Sequence, residues 1–152
     1  MFATKGQGGA VLARKQHKYA SASASISTNL ELTRIALICE DAAKRAETIQ
    51  AMVRLEESKP GRLIYSVRNR LTGGRVEFMT FAVAVKEGGG LRQLATRILT
   101  YKVKRQWVFV VPLPWQMIAW GNYKKFMYGL ADGIRAADPR ATTKVIELTR
   151  SA

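Results

Sequence analysis

The chain has 152 residues, 47% of them hydrophobic and 24% charged, a balance that suits one folded domain and is too apolar for a disordered segment. Twenty-five Lys and Arg against eleven acids give a formal charge of +14 and a pI near 10.4, an excess that favours acidic or phosphate-rich partners. No apolar run approaches the roughly 20 residues of a membrane-spanning helix, and the single cysteine, Cys39, excludes an internal disulfide.

Residues 1–18 read as a flexible basic arm, with Gly6, Gly8 and Gly9 followed by Arg14, Lys15, His17 and Lys18. The segment has no apolar core of the kind a secretory signal needs, so a cytoplasmic location is expected. Residues 19–152 are expected to form a single α+β domain. From Tyr19 to Ser27, serine alternates with Ala20, Ala22, Ala24 and Ile26. Period two predicts a strand with one face inward, and an Ala/Ser linker is the competing reading.

At Leu32 the period changes. Leu32, Ile35, Ala36, Cys39, Ala42, Ala43, Ala46, Ile49 and Val53 recur at steps of three and four, which predicts one helical face. Thr28 and Glu31 have capping-box spacing, with Thr33 as an alternative start. Beyond Pro60-Gly61 the pattern becomes alternating: Leu63, Tyr65 and Val67, then Met79, Phe81, Val83 and Val85. Gly73-Gly74 and Gly88-Gly89-Gly90 mark turns, and β-branched and aromatic residues are dense from Thr96 to Val111. These spacings predict an antiparallel meander of about five strands. A bend is expected at Lys104-Arg105-Gln106, and an irregular segment at Pro112-Leu113-Pro114.

Tyr123, Phe126, Met127, Leu130, Ile134 and Ala137 predict a C-terminal helix, with Asn122 as its N-cap and Asp138-Pro139 as its end. Gly129 and Gly133 each cost such a helix up to about 1 kcal/mol, which a close approach to the sheet would offset. Lys144–Thr149 is expected to add a last short strand. The fold class is thus α+β, an antiparallel meander packed against a long C-terminal helix and one N-terminal helix.

Chemistry-bearing residues are sparse. His17 lies in the arm and Cys39 on an apolar helix stripe, where a buried thiol is inert. Zinc sites use several Cys or His ligands, so no such metal site is expected, and nothing calls for a cofactor. Glu40-Asp41 and Glu56-Glu57 are sequence neighbours whose side chains diverge. Neither glycine run is followed by the Gly-Lys-Ser/Thr of a phosphate-binding loop. No catalytic constellation is legible.

The element order of residues 19–137, a meander followed by a long amphipathic helix, resembles the helix-grip arrangement of the START and polyketide-cyclase-like superfamily. Only one helix precedes the meander here, a departure from that arrangement. The resemblance implies a sheet curved around the last helix and an apolar pocket between them. Tyr65, Phe81, Tyr101, Trp107, Trp115, Tyr123 and Phe126 are the residues expected to line it, around a small hydrophobic ligand or a segment of a protein partner. A second reading is polyanion binding, to nucleic acid or an anionic membrane surface. It would use Lys102, Lys104 and Arg105, the turn arginines Arg68, Arg70 and Arg75, and Arg14, Lys15 and Lys18 of the arm. Against it, Tyr101 and Trp107 read equally as core, and the strand lysines as a guard against edge pairing. A third reading is a structural subunit whose charge an acidic neighbour matches.

Overall fold

Strand β1 (Ser23–Thr28) carries the serine alternation into three dimensions: Ala24, Ile26 and Thr28 are buried while Ser25 is exposed. The structure is a computed structural model that describes residues 21–101, 105–108 and 111–147, with the backbone alone described between 105 and 118. The arm therefore lies outside the described residues. Among those residues no helix is long and apolar enough to cross a membrane.

Helix α1 (Leu32–Arg45) buries Ile35, Cys39, Ala42 and Ala43 of the predicted stripe, whereas Ala36, expected on the same face, is exposed at its edge. Its start differs from the capping-box expectation. Glu31 is the N-cap and makes no side-chain cap, because Thr28 ends β1 and its hydroxyl donates to Asp138 instead, at 2.6 Å. The end differs too. The apparent stripe through Ile49 and Val53 is interrupted at Thr48, whose N–H donates to the Ala51 carbonyl and whose hydroxyl accepts from the Ala51 N–H. Ile49 is exposed at 87%, and Val53 belongs to strand β2 (Ala51–Lys59).

The meander continues through β3 (Arg62–Asn69), β4 (Glu77–Gly88) and β5 (Leu91–Tyr101). Gly61 makes the first hairpin turn at φ +84°, a backbone conformation that side chains resist. A short ribbon, β6 (Arg105–Val108) paired with β7 (Val111–Pro114), stands apart from the main sheet. The Pro112-Pro114 segment is thus a paired strand rather than irregular. Helix α2 (Trp115–Ala137) follows, and β8 (Thr142–Ile146) closes the chain. The main sheet is antiparallel throughout, in the order β2-β3-β4-β5-β1-β8, so the first strand sits between the last meander strand and the C-terminal one.

Both helices cover one face. Helix α2, 23 residues and about 34 Å long, buries Tyr123, Phe126, Met127, Leu130 and Ile134 against the sheet. Asn122 lies inside it and is not its N-cap. The Asn122 amide donates to the Ala46 carbonyl at 2.7 Å and so satisfies the C-terminal end of α1. Gly129 and Gly133 face α1 rather than the sheet. A Cβ on Gly129 would meet the Ala42 Cβ at 3.5 Å, and one on Gly133 would lie 2.6 Å from the Ile38 Cγ2. The two helices approach along a seam of small residues, and that seam offsets the helix-propensity cost.

Candidate ligand groove

Held to α2 on one flank, α1 leaves a cleft on the other, where it faces β2 and β3. The cleft is an open groove of about 690 Å³ between the α1 residues Ala36, Leu37 and Ala43 and the strand residues Val53, Leu55 and Leu63. Its size lies within the roughly 300–1,000 Å³ of small-molecule sites. A recess of about 310 Å³ continues it towards the Pro60-Gly61 turn and shares Thr33, Ala36, Ser58 and Leu63. The groove therefore follows α1 from its first turn to its last.

Two local features shape the lips. On α1, Thr33, Ala36, Leu37, Glu40 and Lys44 fall on a face beside the buried stripe, and Leu37 is 61% exposed. On β2 the register shifts between Leu55 and Glu57, which inserts Glu56 as an extra residue. Leu55 precedes the shift, pairs with Tyr65, borders the groove and is 48% exposed. The polar side chains at the groove are Thr33, Glu40 and Lys44 on α1 and Arg54, Ser58 and Tyr65 on the strands.

Of the residues expected to line a pocket, Tyr65, Phe81, Tyr123 and Phe126 come together beneath α2. Phe81 lies 4.8 Å from Phe126, 5.0 Å from Tyr123 and 5.4 Å from Tyr65, while Tyr65 lies 5.2 Å from Phe126, all between ring centroids. All four are buried, and Tyr65 alone also borders the groove. Tyr101 is half-buried at the end of β5, opposite Met79. The side chains of Trp107 and Trp115 lie outside those described. Sequence reasoning missed Leu37 and Leu55. The signal for Leu37 was a large apolar residue standing off the predicted stripe.

Of the cations of the polyanion reading, only Arg68, Arg70 and Arg75 have described side chains. Arg14, Lys15, Lys18, Lys102 and Lys104 fall outside the described residues, and Arg105 is described by its backbone only. Arg68 pairs with Glu56 at 2.9 Å and Glu77 at 3.5 Å, and also donates to the Gly74 carbonyl. Burial alone would raise the Glu56 carboxyl, but hydrogen bonds from Ser66 and Arg68 outweigh it and hold the group below its ordinary range. Arg70 pairs with Glu47 at 3.5 Å, and the Arg75 Nε donates to the Thr72 carbonyl. These arginines fasten the turn after β3.

Cys39 is buried, and that burial pushes its thiol up to about 12, so it carries no thiolate at neutral pH. Among the described residues no group of three or more His, Cys, Asp or Glu side chains is placed to hold a metal ion. No protein-family model matches this chain, nor does any curated protein or solved structure.

Proposed function

We propose that this domain binds a small apolar ligand, in a cytoplasmic setting, in the groove between α1 and the β2–β3 hairpin. The observation that carries the reading is the pair Leu37 and Leu55, two large apolar side chains left exposed on facing lips of a largely apolar cleft. Covering such a side chain is worth about 1.5–3 kcal/mol when it goes from fully exposed to fully buried. An occupant that covers both therefore gains binding energy with no rearrangement of the core. The helix-grip resemblance is compatible with this role. Its pocket position beneath the last helix is here taken by the Tyr65–Phe81–Tyr123–Phe126 cluster, so the ligand space is assigned to the far flank of α1.

Nile red, a neutral apolar dye whose emission shifts to the blue on leaving water, tests the proposal. Titrated with the protein, it is expected to saturate at one site. Ala36→Trp places a large ring in the groove from an exposed helix position and is expected to weaken that binding at least tenfold while the fold persists. Undiminished binding to a folded Ala36→Trp protein would remove the groove from consideration.

A further inference from the structure

The sheet face turned away from the helices holds a second surface, independent of the groove. The strand registers align one row across all six strands: Lys59, Arg62, Ala84, Ala95, Ser25 and Lys144. The next row holds Lys86, Gln93, Ser27 and Thr142. Small side chains in the middle of the first row, with Ser27 in the second, leave a furrow of about 430 Å³ lined by Ser25, Ser27, Ala84 and Ala95 and bordered by Lys86, Gln93 and Lys144. Arg97 stands beside it on β5, two residues from Ala95 and on the same face.

Lys59 at the end of the row pairs with Glu57 at 3.8 Å, but the other charges around the furrow are uncommitted. Arg62, Lys86, Arg97 and Lys144 are exposed and form no ion pair among the described residues, in contrast to Arg68 and Arg70 in the turn. The hydroxyls of Ser25, Ser27 and Thr142 make no side-chain hydrogen bond among those residues either. Adjacent strands lie about 4.8 Å apart, so four steps separate Arg62 from Lys144 by about 19 Å at the backbone. Free cations and hydroxyl donors interspersed over that span match the requirements of phosphate contacts, which draw on Lys, Arg and Ser/Thr side chains.

We propose that this face binds the sugar–phosphate backbone of double-stranded nucleic acid without reading its sequence. Two features select the occupant. The cations border a furrow, which suits a ridge of phosphates more than a flat lipid surface. It presents no aromatic side chain on the outward positions of β1, β3, β4, β5 or β8, so it offers no stacking platform for the bases of a single strand. What is left is charge, and a duplex carries one phosphate per ~1.7 Å of axis.

The test uses the full chain, a labelled 20-base-pair DNA duplex of arbitrary sequence and fluorescence anisotropy across 20–200 mM salt. Two triple variants, each removing three exposed charges, are compared with the parent: Lys86→Gln/Arg97→Gln/Lys144→Gln on the face, and Arg34→Gln/Lys125→Gln/Arg140→Gln on the helices and the α2–β8 turn. The face variant is expected to lose at least tenfold in affinity at 50 mM salt. Its slope of log affinity against log salt should fall by about 2–3, since each lost phosphate contact removes about 0.9. The helix-side variant is expected to stay within about threefold of the parent. Circular dichroism confirms that both fold. Equal losses in the two variants would reduce the effect to net charge and overturn the proposal. Absence of duplex binding at 20 mM salt would do the same, as would tighter binding to phosphatidylserine vesicles or to a single strand of equal length.

Discussion

Replacing Tyr123 with phenylalanine takes one oxygen from the middle of the fold and leaves the ring, so no cavity accompanies the loss. The Tyr123 hydroxyl donates to the Ala22 carbonyl at 2.8 Å and accepts from the Thr96 hydroxyl at 3.0 Å, which in turn accepts from the Ala24 N–H at 2.8 Å. The donor directions are fixed: the Ala22 carbonyl can only accept and the Ala24 N–H can only donate. The chain of hydrogen bonds ties α2 to β1 and β5 where the β1–β5 pairing stops at Ser25–Ala95. Tyr123 and Ala22 are fully buried, and Thr96 is 1% exposed, so water cannot replace the missing partner. An orphaned buried group costs about 1–3 kcal/mol, and Tyr123→Phe orphans the Ala22 carbonyl outright and the donor side of Thr96. A loss of about 2–4 kcal/mol is expected, which at about 2–4 °C per kcal/mol for a chain of this size lowers Tm by roughly 5–15 °C. Urea unfolding followed by circular dichroism should show a lower midpoint with an unchanged slope. Thr96→Val, which orphans the Ala24 N–H, should cost about 1–3 kcal/mol. The double variant should cost less than the sum by at least about 0.5 kcal/mol, because both changes break one chain. Burial pushes the Tyr123 hydroxyl up to about 12, so the effect should be the same at pH 6 and pH 9. A Tyr123→Phe protein within about 0.5 kcal/mol of the parent, or strict additivity with Thr96→Val, would refute the account of this network.

The helix seam separates two glycines that look alike in sequence. Gly129→Ala is expected to stabilise by up to about 1 kcal/mol, since helix propensity improves and the new contact with Ala42 is of ordinary length. Gly133→Ala should destabilise by about 1–2 kcal/mol, because the clash with β-branched Ile38 outweighs the same gain; thermal melts of the two variants read the contrast. Asp138 accepts from the Thr28 hydroxyl and the Asn29 and Arg140 N–H groups, and these bonds, the first the largest, hold its carboxyl below its ordinary range. Its stabilising effect is therefore full above the ordinary carboxyl value of about 3.9 and disappears as pH falls through the lower folded value. Asp138→Asn should lower stability at pH 7 and flatten its acid limb, measured as urea midpoints between pH 2 and pH 7. Cys39 should resist a disulfide-exchange reagent in the native protein and react at once in 6 M urea, as titration of released thiolate would show.

Much of the framework was legible because local pattern and tertiary burial agree. The serine alternation of β1 and the Tyr123–Ile134 stripe of α2 each name the face that is buried. The pattern misled where a chance continuation met a tertiary decision. Ile49 and Val53 extend the α1 spacing arithmetically, yet the Thr48–Ala51 turn and pairing with β3 end the helix and begin β2. Asn122 looks like an N-cap because glycine precedes it, while its partner, the Ala46 carbonyl, lies 76 residues away. The groove depends on how far α1 stands from β2, which the Gly129–Gly133 seam sets from the opposite flank. Only the off-stripe Leu37 hinted at it. The basic row from Lys59 to Lys144 gathers residues from six strands and becomes visible only once the register is known.

The groove is tested most directly by amide and methyl NMR shifts on titration with a neutral apolar ligand such as dodecanol. The account predicts saturable shifts at Ala36, Leu37, Leu55 and Leu63, with Met127 on the buried face of α2 and Ala84 and Ala95 on the outer sheet face unmoved. Shifts centred on Met127 or on the outer face, or none below the solubility limit of the ligand, would contradict it.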